Sequence, residues 1–214
     1  MDTTFETMLE PFRFGFMLRA LAVSVLVGII CPLLGTYVVS RGLAFMGDAV
    51  AHAVLPGLVI GFMAGISPFV GSVPAAIVIA LLIGYLTRRA GVSEDTSIGI
   101  LFAGLFALGL VMLTFVKGLP IDLEDLILGQ VLGVSLTDVL VTMGLAMVVL
   151  LVLCGLHKEL VFTSFDPIGA KLVGLPTELL DYVLLVLIAV VVVIALQAVG
   201  IVLVMAMLVT PSAT

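Results

Sequence analysis

Charge is what this sequence has least of. Only 10% of its 214 residues are Asp, Glu, Lys or Arg, against 63% hydrophobic residues. Its mean hydropathy is +1.46. A soluble domain carries roughly 25% charged residues, so a single globular core cannot hide this much apolar surface. The short alternating segments of an outer-membrane barrel are also missing. Lipid leaves the α-helix as the remaining way to satisfy the backbone. The expected class is therefore an all-α polytopic membrane protein, with lipid as its surroundings.

Other absences narrow the function. The chain has no Walker P-loop, no Gly-x-Ser-x-Gly and no His-Glu-x-x-His. It carries no visible means of hydrolysing anything, so it is not expected to be an enzyme, and energy must come from a partner or a gradient. Cys31 and Cys154 both lie in apolar runs without CxxC spacing and read as small hydrophobes. The N-terminal residues are acidic and amphipathic, with no basic region of the kind that opens a cleavable signal. The net charge is −6, and the acids gather in the N-terminal tail and the loops, so no nucleic-acid surface is expected.

A lipid-spanning helix needs about 20 apolar residues. Runs of that kind cover residues 14–39, 43–65, 69–86, 96–116, 136–156 and 182–210, about six spans in one transmembrane domain over residues 1–214. Pro32 removes a backbone donor inside the first and is expected to kink it. Ser93 or Thr96 can cap the fourth, with Glu94 and Asp95 beside it. Residues 117–137 mix acids with apolar residues and read as a short interfacial helix. Gln197 and Gly200 interrupt the last run, which is either one kinked helix or a span followed by a half-helix. Gly57, Gly61 and Gly65, and Gly99 with Ala103, are spaced for close helix packing.

Basic residues set the orientation. An outer N-terminus places Arg41, Arg88, Arg89, Lys158 and Lys171 inside and leaves Arg13, Arg19 and Lys117 outside. The polar stretch 157–181 is then cytoplasmic. His157 lies at its start and reads as a helix-end cation or an interfacial residue.

Two constellations stand out. Asp48 and His52 lie four residues apart in the second span, one turn apart on one helical face. An ionisable residue within a span costs roughly 2.5–3.5 kcal/mol on insertion scales and faces a cavity or a partner. Carboxylate oxygen and imidazole nitrogen are both ligands for divalent transition metals. Two ligands hold a metal weakly, which suits a transport path. The alternative is an Asp–His pair that caps or staples helices near the membrane surface. The second constellation spans residues 166–174. Asp166 suits an N-cap, Pro167 the first helical turn and Gly174 the C-terminal glycine. It reads as a short exposed helix between two spans, a docking shape for another protein.

Together these features resemble a known family. Leu43-Ala44-Phe45-Met46-Gly47-Asp48-Ala49-Val50-Ala51-His52-Ala53-Val54-Leu55-Pro56-Gly57 resembles the signature of the permease subunits of ABC importers for manganese, zinc and chelated iron. Phe165-Asp166-Pro167, with Ala170 and Gly174, is similar to their cytoplasmic coupling segment. Leu208-Val209-Thr210-Pro211-Ser212-Ala213-Thr214 resembles their later Leu-x-Thr-Pro-Ala-Ala-Thr stretch.

The resemblance implies a helical bundle of the type II ABC importer permease kind in a bacterial inner membrane. It implies a homodimer with the pathway at its two-fold interface, cytoplasmic ATPase subunits on the coupling helices, and an extracytoplasmic metal-binding protein outside. Asp48 and His52 match the positions of the family's metal site, while Asp166, Pro167, Ala170 and Gly174 match the coupling segment. No permanently bound cofactor is implied; a divalent ion of manganese, zinc or iron is the cargo. Family members continue into further spans, so the bundle is expected to be C-terminally incomplete. The rival readings are a permease for a metal chelate, a gradient-driven secondary transporter and a purely structural membrane subunit. A secondary transporter is expected to show inverted repeats and several midplane carboxylates, and neither is visible.

Overall fold

A computed structural model describes residues 14–116 and 136–214. The interfacial helix expected over 117–137 falls almost wholly outside these residues. The described residues form helices α1 (Gly15–Ser40), α2 (Ala44–Ala53), α3 (Leu55–Met63), α4 (Pro68–Arg89), α5 (Glu94–Phe115), α6 (Leu136–Gly155), α7 (His157–Phe165), α8 (Pro167–Leu172) and α9 (Thr177–Ala213). Among them, five are long and apolar enough to cross a membrane when α2 and α3 are taken together. The bent pair α6–α7, which turns by 66°, makes a sixth.

The core is built around α9. Its stretch from Leu184 to Leu196 has no apolar face because nearly every side meets another helix; Ile188, Ala189, Val192 and Ala195 are fully buried. Helices α1, α2, α4 and α6 pack around it. The ambiguity at the last span resolves at Gly200, whose φ of 77° and ψ of 168° break the helix. That left-handed φ favours glycine. The segment that carries this break near its start, Val199–Ala213, is a shorter apolar helix. It approaches α1 so closely that a Cβ on Gly35 would overlap the Leu208 carbonyl. Ser212 donates to the carbonyls of Pro32 and Leu208, at 3.1 and 3.0 Å. Helix α1 runs unbroken through Pro32.

The second span, Ala44–Met63, carries a one-residue interruption between α2 and α3. Pro56 has no N–H to continue the ladder back to His52, and the helix interrupts at Val54. The small-residue spacing has two outcomes. Gly57 and Gly61 form the close contact with α4, where an added Cβ on Gly71 would sit 2.6 Å from the Gly57 oxygen. Gly65 instead turns the chain after α3 with φ of 69°. Gly99 has open space around it, and Ala103 is exposed, because α5 lies at the edge of the bundle. Cys31 is buried as expected, but Cys154 is exposed because α6 turns that side outward. The stretch 157–181 is more helical than its polarity suggests, holding α7, α8 and the first turn of α9.

Candidate functional site

The central pair sits on α2, just before the break. The apolar residues Met46, Gly47, Ala49, Val50, Ala51 and Ala53 are buried. Asp48 and His52 lie on the open side with Phe45, their side chains 34% and 26% exposed. His52 Nδ1 is 2.9 Å from the Asp48 backbone oxygen and 3.6 Å from its carboxylate Oδ1. A carbonyl only accepts, so Nδ1 carries the proton and donates. In the neutral ring Nε2 then keeps its lone pair. This is the tautomer a metal ligand needs, oriented by a backbone carbonyl on the other ring nitrogen.

Aromatic rings of α5 close on the imidazole. Phe102 and Phe106 meet the His52 ring edge-to-face, with centroids 5.6 and 5.4 Å away. The two phenyl rings lie parallel to within 7°. Phe45 meets Phe102 edge-to-face in turn, at 6.2 Å. These phenylalanines did not stand out in the sequence. Their four-residue spacing places both rings on one face of α5, and that was the available signal.

Among the described residues, no group of three or more His, Cys, Asp or Glu side chains comes together. One chain therefore offers a single carboxylate and a single imidazole at this place.

The capped segment folds as its sequence indicates. Asp166 Oδ1 accepts from the Gly169 N–H at 2.8 Å, and Pro167 opens α8. Gly174 has φ of 87°. The Leu175 N–H reaches back to the Ala170 carbonyl and the Gly174 N–H to that of Lys171, both at 3.0 Å. This is the bonding of a Schellman-type helix end. Ala170 is fully buried, while Ile168, Leu172 and Val173 are each at least 73% exposed. The helix thus anchors through its alanine and presents an apolar outer surface.

A polar cluster at the same end was not anticipated. Asp181 near the start of α9 accepts from Arg41 at the end of α1 and from Arg88 at the end of α4. Arg88 also lies 3.7 Å from Glu178 and stacks over the Tyr182 ring. Arg41 further donates to Ser164 and Thr163 of α7, both at 2.9 Å. His157, at the start of α7, pairs with the Tyr37 hydroxyl of α1 at 2.6 Å. The cations that orientation placed on the inner side, Arg41, Arg88, Arg89, Lys158 and Lys171, all lie in or next to elements meeting at this end.

Among the described residues the protein is helical with five or six candidate spans, an ionisable pair within one of them and a capped helix at one end, the outline of a membrane transport subunit. The chain belongs to the ABC 3 transport family, whose model matches residues 13–214. It is similar to the manganese transport system membrane protein MntC of Halalkalibacterium halodurans, with 46% identity over 96% of this chain and 70% of that one. It is also similar to the chelated iron transport system membrane protein YfeD of Yersinia pestis, with 41% identity over 99% of this chain and 71% of that one. Among solved structures it resembles PsaBC from Streptococcus pneumoniae, determined in complex with a Fab. The TM-score is 0.81 at 37% identity, covering all of this chain and 76% of that one.

Proposed function

We propose that this chain is the permease subunit of an ABC importer that moves a divalent transition metal ion, manganese, zinc or iron, across a bacterial inner membrane into the cytoplasm. The observation that carries the proposal is the Asp48–His52 pair. It is partly open, it lies inside a span, and the backbone carbonyl that engages Nδ1 leaves Nε2 as the ring nitrogen with the lone pair. A carboxylate left on a lipid face costs roughly 2.5–3.5 kcal/mol, so the open stripe must meet something polar. A second copy of the chain related by a two-fold axis meets that need. Two copies bring two carboxylates and two imidazoles together, a mixed oxygen and nitrogen set suited to these ions.

The mechanism is alternating access. A metal-loaded extracytoplasmic binding protein delivers the ion to the outer mouth. Asp48 and His52 of both copies hold it weakly enough for release. On the cytoplasmic side an ATPase subunit docks on α8, the segment carrying Asp166, Pro167, Ala170 and Gly174. ATP binding draws the two ATPase subunits together and pulls α8 with them. The spans tilt, and the pair opens to one side at a time.

Uptake of radiolabelled manganese by cells expressing the permease with its ATPase and binding protein tests the proposal. D48A and H52A should abolish uptake while leaving membrane insertion intact. Unchanged uptake in both variants would refute the metal pair, and uptake without any ATPase partner would refute the importer. The name of the Yersinia relative favours a second reading, a permease for a metal chelate. That reading predicts chelate uptake that does not depend on His52.

A further inference from the structure

The guanidinium of Arg41 touches both stems of the segment that carries α8. On the incoming stem, its Nε donates to Ser164 Oγ and its Nη2 to Thr163 Oγ1, each at 2.9 Å. On the outgoing stem, its Nη1 donates to Asp181. All of these partners lie more than 120 residues away in sequence. The side chain is 14% exposed, and a planar fork with three engaged edges leaves it little freedom to swing.

The other side of Arg41 is equally constrained. It caps α1, and only Gly42 and Leu43 separate it from α2. That link is a tight turn: Gly42 has φ of 72°, and the Leu43 N–H bonds back to the Val38 carbonyl at 2.8 Å. Asp48 follows seven residues after Arg41, one to two helical turns into α2. A displacement of α7 and α9 therefore reaches the start of α2 through one side chain and a short rigid turn. Arg88 holds Asp181 from the α4 side and keeps the shared carboxylate in place.

We propose that Arg41 is the positioning residue that transmits motion of the α8 segment to the helix bearing Asp48 and His52. The inference rests on the function proposed above. Coupling through a packed network requires an element whose movement both sites feel, and Arg41 is bonded to one site and covalently close to the other. Thr163 and Ser164 set the grip on the incoming stem. Lysine keeps the charge but cannot engage Thr163, Ser164 and Asp181 at once.

The test uses the permease reconstituted in proteoliposomes with its ATPase and a manganese-loaded binding protein. It measures manganese ions moved per ATP hydrolysed. The T163V/S164A double variant leaves the Arg41–Asp181 pair intact, so the bundle should assemble and hydrolyse ATP as the wild type does. Its manganese moved per ATP should fall by about 2- to 30-fold, the range by which residues along a coupling network change inter-site coupling. R41K should fall at least as far. A double variant with unchanged manganese per ATP overturns the proposal, as does a parallel loss of hydrolysis and transport, which would mark Arg41 as purely structural. Uptake that survives D48A and H52A, with Arg41 and its partners unchanged, would instead defeat the proposed metal pair and this inference with it, so the two failures are told apart.

Discussion

Replacing Phe102 and Phe106 by leucine removes the rings that hold the His52 imidazole but keeps most of the apolar volume. Both rings meet the imidazole edge-to-face, at 5.6 and 5.4 Å. Such contacts are worth about 0.5–1.5 kcal/mol each beyond the area they bury. Losing one should weaken metal binding about 2- to 12-fold, and losing both about 5- to 150-fold, since 1.4 kcal/mol is a factor of ten. The Nδ1 bond to the Asp48 carbonyl survives in these variants, so the tautomer is kept and only the ring's orientation loosens. Manganese affinity of the purified permease, followed by isothermal titration, reads the effect directly. F106L should weaken binding, F102L/F106L should weaken it further, and H52A should remove it. If the double leucine variant binds manganese within twofold of the wild type while H52A has lost binding, the rings do not position the ligand and the reasoning fails.

The glycine contacts give a paired prediction. An alanine at Gly71 would press its Cβ to 2.6 Å from the Gly57 oxygen and 2.7 Å from the Gly61 Cα. Backbone cannot swing aside, so G71A should cost about 1–3 kcal/mol. G99A meets nothing within 4 Å and should be neutral or slightly stabilising. Thermal unfolding in detergent compares the two, and equal stabilities would contradict the packing described. At the coupling segment, D166A removes the acceptor for the Gly169 N–H and should destabilise α8 by about 1 kcal/mol. Its affinity for the ATPase subunit, measured by biolayer interferometry, should fall, while D166N, which keeps a capping oxygen, should retain it. Weakening of both variants alike would show that the charge matters and the cap does not.

The spans were legible because each is a long run of one chemistry, and lipid permits only one answer to such a run. Asp166 to Gly174 was legible for a different reason. Its bonds close within a few residues, between Asp166 and Gly169 and between Ala170 and Leu175, so the whole motif is written locally. The Asp48–His52 spacing was equally local. What escaped was tertiary. Arg41 and Asp181 stand 140 positions apart, and nothing near either names the other. Pro56 leaves only a local interruption at Val54, and Ala44–Met63 remains one candidate span as its hydropathy indicates. Hydropathy failed, however, to rank the helices. Thr177–Leu196 and Glu94–Phe115 have similar mean hydropathies of 3.1 and 2.5, but 72% of the first is buried and only 11% of the second. Both chemistries tolerate lipid, and only packing decides which helix becomes the centre.

The two polar groupings of the protein differ in a way that bears on the Asp48–His52 pair. A pair that stapled helices would bond from one helix to another. Arg41 and Arg88 do this, joining α1 and α4 to α9 through Asp181. The Asp48–His52 bonds run inside α2 alone. Nor do these two side chains take a buried place, although 72% of the span Ala44–Met63 is buried. The span buries most of its apolar residues, and its only Asp and His stay on its open side together with Phe45, Ile60 and Met63. A packing role does not need the exposure, whereas a ligand role does. The proposed metal role fits the partial exposure and the donor chemistry of the pair, and it gives the Phe102 and Phe106 contacts with His52 a use in orienting the ring.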